Sequence, residues 1–453
     1  MDSQNCLRVR TLSPVRSPVS ADSERRAAES IRAESTNRKC PQLLPDNEAL
    51  EKFDWPWRNG YGTLDCDNLP VFFQPFECYS IKVGIDDISS GLGEILDSFY
   101  GEIDKCALYL YDDTVSLLQL DVVFYDSGNN VGHLFENDRL DDALSESAKL
   151  VYQRIVYPAY KKYFLSFGGG SLKSSRLESY GFKDPKKLSI FRDVVFDLEC
   201  PPDSYVLWTG RYIVAPPAVL ESELGESLCR WVSYQGAIKD FLEGSQFVSS
   251  GNIISFSEDQ DRSGDNWLRG LLICQYYNSI LYIYSGILKS SYSQLDECLG
   301  LLNKKKRSIG VLMEDITCSL DHLEFTRLEF NEALVGVQSE RAVVVSKACE
   351  AWKMEQLIAS SLERTDLIRS RISRLVEARK HSLNRSVELI LSIIGGVSLV
   401  DLVLSLSTAS RDLDDDGIPG LLDIFGWLQP DTSILFSTLT LLAVSAYIYI
   451  AKR

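Results

Sequence analysis

Histidine is scarce: only His133, His322 and His381 occur in 453 residues, and they are far apart in sequence. A hydrolase triad or a histidine-rich metal site therefore has little raw material. The eleven cysteines, scattered from Cys6 to Cys349, include no Cys-x-x-Cys pair. This excludes a disulfide framework or a zinc ribbon and suits a reducing compartment. Proline is missing from residues 218 to 418, although the whole chain has 15. A stretch without proline permits very long helices, because proline breaks the helix interior. Positive charge is also in deficit, with 47 Lys and Arg against 64 Asp and Glu and a net charge of −17. Nucleic acid is accordingly not an expected partner. No acid–base pair or nucleophile constellation stands out, so no enzymatic activity is expected.

What is present divides into four segments. Residues 1–45 carry a surplus of basic groups, are rich in Ser, Arg, Glu and Pro, and are poor in aromatics. A disordered N-terminal tail is expected there. Arg8, Arg10 and Arg16 also suit a mitochondrial transit peptide, but Asp2, Asp22, Glu24 and Glu29 oppose it. Residues 46–217 form a strongly acidic segment, with a net charge of −12. Alternation such as Leu118-x-Leu120-x-Val122 predicts strands over 76–85, 107–112, 115–126, 191–198 and 205–214. Helices are predicted over 88–100 and 138–167, which makes this an α+β domain.

Residues 218–385 read as a long-helix bundle and stalk. Helices are predicted over 265–302 and 313–338, separated by the basic break Lys304-Lys-Lys-Arg307. A third begins near Glu340 and continues to Val387 without interruption. Leu271 to Leu288 has no charge, yet its four tyrosines are spread through its middle rather than at its ends. Interfacial belts place tyrosine at the edges, so a buried helix is the better reading. Two further features have modest readings. Gly168-Gly-Gly-Ser-Leu-Lys173 lacks the glycine that a phosphate loop needs before its lysine, and a linker is expected. Arg211 ends a predicted strand, either solvated or holding an anion.

Residues 386–453 read as two transmembrane helices joined by an acidic outer loop. Thr432 to Ala451 is uncharged over the ~20 residues needed to cross a bilayer. Ser386 to about Thr408 is similarly apolar, apart from Glu388 and Asp401. Basic residues precede the first span, and Lys452 and Arg453 follow the second. The positive-inside rule then places both ends in the cytoplasm and the loop outside. The expectation is a multi-pass protein of the plasma or inner membrane, with the mitochondrial inner membrane as the weaker alternative.

An acidic α+β domain, long helices, and one very long helix that enters the first of two C-terminal spans: this order resembles the CorA-like divalent-cation transporters and channels. The resemblance covers residues from about 70 to 453 and rests on architecture. It implies a homopentamer in the lipid bilayer, with stalk helices and first spans lining a cation pore gated by the cytosolic domain. The family's Gly-Met-Asn signature is replaced here by Ser405-Leu-Ser-Thr-Ala-Ser-Arg411. Magnesium selectivity therefore does not carry over. The alternative is a membrane effector of a bacterial antiviral defence system, opened by a small-molecule signal.

The candidate sites follow from carboxylates. At ~100° per residue, Ser398, Asp401, Ser405 and Thr408 share one face of a helix. In a symmetric oligomer they would form a carboxylate ring bordered by hydroxyl rings, suited to a cation pore. A hydrogen bond between helices is the other reading of Asp401. In the loop, Asp412, Asp414, Asp416, Gly417 and Asp423 have the spacing of a calcium loop, in which alternate carboxylates converge on a hard cation. The implied ion is magnesium or calcium. The same acids also read as an acidic vestibule that concentrates cations.

Overall fold

The computed structural model describes residues 6–20, 44, 48–55, 73–75, 77–111, 113–125, 131–135, 138–167, 202–232, 246–249, 251–258, 260–300, 306–409 and a few positions between 431 and 442. The chain divides into two compact units, Met1–Asp366 and Leu367–Arg453.

The first unit is organised by a mixed sheet, eight-stranded among the described residues. In chain order its strands are β1 (Cys6–Ser20), β2 (Leu50–Phe53), β3 (Glu77–Ile81), β4 (Gly101–Leu110), β5 (Asp113–Tyr125), β6 (Gly210–Ala215), β7 (Gln246–Val248) and β8 (Asn252–Phe256). Their spatial order is β2-β3-β4-β5-β1-β6-β8-β7. Every pairing is antiparallel except β6 with β8.

The N-terminal segment departs from expectation. Cys6–Ser20 is not a disordered tail; it is a central strand, paired with β5 on one side and β6 on the other. Composition misleads here because the segment's polar groups are consumed. The Thr11 hydroxyl donates to the Leu120 carbonyl at 2.8 Å, and Ser13 and Thr209 share a hydrogen bond of 2.9 Å. Arg8 and Arg10 pair with aspartates.

The pleat sends alternate residues to opposite faces. Leu7, Val9 and Val15 of β1 join Leu118, Leu120, Val122 and Phe124 of β5 in one hydrophobic core. Helices cover that face: α1 (Ser90–Ser98), α2 (Arg139–Val151), α3 (Tyr157–Phe167) and α4 (Glu223–Val232). Ser89 caps α1 by accepting from the Leu92 amide at 3.1 Å. A π turn, Tyr152–Val156, joins α2 to α3, so the predicted helix over 138–167 is continuous in path but changes its winding.

The opposite face of the sheet meets α5 (Gln260–Gly300). The predicted buried helix is borne out: Leu271, Leu272, Tyr276, Tyr277 and Ile280 are all buried. The Tyr276 ring stacks on Tyr111 with centroids 4.2 Å apart. Next come α6 (Lys306–Gly336), α7 (Ser339–Ala351) and α8 (Met354–Ala409). The third predicted helix is thus broken. Lys353 adopts a left-handed backbone, φ 52°, and the Trp352 indole donates to the Ser249 carbonyl at 3.0 Å. That contact fixes the corner between α7 and α8.

The second unit holds the greater part of α8, a 56-residue helix. The expected pair of C-terminal transmembrane helices is corrected here. Among the described residues, no helix is long and apolar enough to cross a membrane. The expected first span is the end of α8, a helix that carries charge along its length and has Glu388 and Asp401 inside the stretch in question. A carboxylate at the centre of a span costs ~2.5–3.5 kcal/mol even on permissive scales. The expected second span, 432–451, lies largely outside the described residues. The expected membrane placement and multi-pass topology are corrected with the spans.

Close approach of α5 and α7 is set by a glycine. A Cβ on Gly270 would lie 2.9 Å from Val344 Cγ1, whereas nothing lies within 4 Å of Gly286 on the same helix. Gly270→Ala is expected to lower the thermal midpoint, since overpacking costs ~1–3 kcal/mol and exceeds the gain in helix propensity. Gly286→Ala is expected to raise stability by up to ~1 kcal/mol. Paired urea denaturation curves check both signs.

Candidate functional site

The candidate pore residues all lie on α8. Ser398, Asp401, Ser405 and Thr408 are exposed. Their hydroxyls donate to the helix's own carbonyls: Ser398 to Ile394 at 3.0 Å, Ser405 to Asp401 at 2.8 Å and Thr408 to Ser405 at 2.9 Å. A back-bonded hydroxyl spends its proton on the helix and leaves oxygen lone pairs facing outward. The stripe is therefore an acceptor surface, one carboxylate among three hydroxyl oxygens. Val387, Ile390, Leu391, Ile394 and Leu402 are also exposed, at 52–61%. They fall within the same roughly 120° arc of the helix as the polar four.

The second candidate set, Asp412, Asp414, Asp416 and Asp423, lies outside the described residues. So does the glycine-rich stretch from Gly168. Among the described residues, no group of three or more His, Cys, Asp or Glu side chains is placed to hold a metal ion.

The densest electrostatic arrangement in the first unit was not anticipated from sequence. On the sheet face that meets α5, one cross-strand row runs Lys105, Asp121, Arg10, Tyr212 across β4, β5, β1 and β6. Arg10 Nε lies 3.3 Å from Asp121 Oδ2, and an Arg10 guanidinium N–H donates to the Tyr212 hydroxyl at 3.3 Å. The same carboxylate oxygen accepts from Gln119 Nε2 at 2.7 Å, and the Tyr109 hydroxyl donates to Gln119 Oε1 at 2.5 Å. Tyr109 thereby orients the Gln119 amide, turning its NH₂ toward Asp121.

Asp121 is 1% exposed, and its Oδ1 has no hydrogen-bond partner among the described residues. Burial pushes its carboxyl up to about 6; the charge of Arg10 and the Gln119 hydrogen bond pull the other way. Burial lowers Arg10, but Tyr212, Asp121 and Asp265 outweigh it, and the guanidinium stays charged. The row is thus a fixed cation beside an acid that titrates near neutrality.

This face also grips the start of α5. Arg8 lies 3.3 Å from Asp261, and Arg10 lies 4.0 Å from Asp265. Residues two apart on a strand and four apart on a helix each share one face, so the two pairs form in parallel. Gly264 leaves the space: a Cβ there would lie 2.8 Å from the Arg10 guanidinium. Two aspartates in the opening turns of α5 also favour the positive end of its dipole. Farther along, Asn266 donates to Glu340 of α7 at 2.7 Å. The route from sheet to α5 to α7 is continuous in contact.

Arg211 is neither solvated nor free for an anion. It lies 3.4 Å from Asp141 Oδ1 and donates to Ser145 at 2.8 Å and to Asn252 at 3.2 Å. Trp231 and Asn252 add hydrogen bonds to the same carboxylate, which joins α2, α4, β6 and β8. This cluster ties the helical layer to the sheet.

The sequence signal that was missed is a matched pair of spacings: Arg8-x-Arg10 flanked by alternating Val9, Thr11 and Val15, and Asp261-x-x-x-Asp265. No protein-family model, curated protein or solved structure matches the chain.

The Asp121 carboxyl holds its proton more tightly in the folded protein than in the unfolded chain, whose ordinary value is 3.8. Its contribution favours folding below about pH 4 and is lost as pH rises through about 6. The stability advantage of wild type over Asp121→Asn is therefore expected to shrink by ~2–3 kcal/mol between pH 4 and pH 7, read from urea midpoints. Arg10→Met is expected to cost ~3–5 kcal/mol at pH 7, because it strands a buried carboxylate.

Proposed function

We propose that this chain is a self-assembling, cation-responsive protein of CorA-like design. Copies associate along α8, and the acidic sheet unit carries the regulatory state. The supporting observation is the exposed face of α8, where Val387, Ile390, Leu391, Ile394 and Leu402 sit with Ser398, Asp401, Ser405 and Thr408. Exposed apolar side chains in such an array stabilise an assembly when a second copy covers them.

Rotational symmetry would bring one Asp401 from each copy around a common axis, as a closed ring requires. Like charges that close repel, and a divalent cation relieves the repulsion. The outward lone pairs of the back-bonded hydroxyls supply further oxygen ligands of the kind that magnesium and calcium accept. Five copies is the number that the CorA-like resemblance implies. Transmembrane conduction is not part of this reading, since it requires helices that span.

The test is the solution mass of the full chain by light scattering, with chelator and with millimolar magnesium or calcium. Wild type is expected to assemble, more completely with the cation. Asp401→Asn, which removes the repulsion, is expected to assemble equally well in chelator. Leu391→Glu with Ile394→Glu is expected to shift the mass toward the monomer. A wild-type monomer under every condition overturns the proposal.

A further inference from the structure

The contact between α5 and α7 holds two thiols that the proposed assembly does not use. Cys274 on α5 is fully buried, and Cys349 on α7 is half-buried; both are free. The two thiols face each other across this contact and perturb each other's titration in opposite directions. Cys274 Sγ also lies 3.9 Å from the Val345 carbonyl, one helical turn before Cys349. Gly270, one turn before Cys274, brings the two helices close together, with Val344 against its backbone.

Only one of the pair faces open space. A cavity of about 520 Å³ lies at the corner where α6, α7 and α8 meet, lined by Val337, Val345, Ser346, Cys349, Lys353 and Gln356 among others. Cys349 lines it, whereas Cys274 is fully buried and does not. Its lining carries Lys353, Glu350 and Glu355 with the polar side chains of Ser346 and Gln356, so it suits a small polar reagent.

The neighbouring Cys274 lowers the Cys349 thiol from its ordinary value, against burial and the charge of Glu355, whereas Cys349 and burial raise Cys274. The asymmetry matches the two roles in thiol oxidation, a nucleophile that reaches the cavity and a buried partner that reacts second.

We propose that Cys349 and Cys274 form a reversible oxidation site for hydroperoxides entered through this cavity, with Cys349 as the attacking thiol and Cys274 as the resolving thiol. In the first step the Cys349 sulfur attacks a peroxide oxygen. The S–O bond forms, the O–O bond breaks, and the leaving oxygen takes a proton and departs as water or an alcohol. In the second step the Cys274 sulfur attacks the Cys349 sulfenic acid. The S–S bond forms, the S–O bond breaks, and water leaves with the Cys274 proton. Two electrons pass from the thiol pair to the peroxide, and a dithiol reductant returns them. The product is a covalent tie between α5 and α7, the two helices that connect the sheet to the corner before α8.

The full-length protein is treated with hydrogen peroxide, its remaining thiols are alkylated, and its peptides are mapped by mass spectrometry. Wild type is expected to give a peptide pair joined through Cys274 and Cys349, lighter by two hydrogens and separated by dithiothreitol. Cys274→Ser is expected to stall at the sulfenic acid, so that dimedone labels Cys349. Cys349→Ser is expected to give neither product, with circular dichroism confirming that both variants fold. The wild-type arm needs no variant. If its other cysteines oxidise while these two remain separately alkylated, the proposal is overturned. It is also overturned if dimedone fails to label Cys349 in a folded Cys274→Ser protein.

Discussion

The buried pairing of Arg10 with Asp121 is the interaction on which the first unit depends. A guanidinium and a carboxylate are placed face to face between a sheet and a helix, where either alone would be severely destabilising. Their presence together fixes the register of β1 against β5, because a one-residue slip of β1 would send Arg10 into the apolar core on the other face and strand Asp121. It also fixes where α5 begins, since Arg8 and Arg10 reach Asp261 and Asp265 at its N-terminus. The net acidity of the chain acquires a structural meaning here. Arg8 and Arg10 of the N-terminal strand are placed against carboxylates of the sheet and of α5.

From that grip, contact passes outward. α5 packs on α7 through the bare surface of Gly270 and through the Cys274–Cys349 pair. The chain then turns at Trp352 and Lys353 before α8 starts. A proton at Asp121 or a bond between the two thiols would act on the same train of helices from different ends. The α8 face, with its exposed apolar side chains and its acceptor stripe, is the surface that an assembly would use.

Much of this was legible in the sequence, and the failures have physical causes. Alternation in Leu118-x-Leu120-x-Val122 located β5, and the long stretch without proline announced the helices α5 to α8. The N-terminal strand was hidden because composition counts polar residues without asking what they pair with. Thr11, Ser13, Arg8 and Arg10 look like solvated residues until the strand is placed between β5 and β6. The break after α7 was hidden because its cause is a tertiary contact, Trp352 to Ser249, with no local breaker residue. The C-terminal expectation failed differently. Apolar content suggested spans, while the described helix there carries Glu388 and Asp401 and none of the described helices is long and apolar enough to cross a membrane. On α8, the spacing of Ser398, Asp401, Ser405 and Thr408 was readable directly, because helical geometry alone sets which residues share a face.

Amide hydrogen exchange along β1 tests the central claim most directly. If Cys6–Ser20 is the strand that joins the two halves of the sheet, the paired amides between Leu7 and Val15 will exchange as slowly as those of β5, through global unfolding alone. Exchange of those amides at the rate of an unstructured peptide, while β5 stays protected, would contradict it.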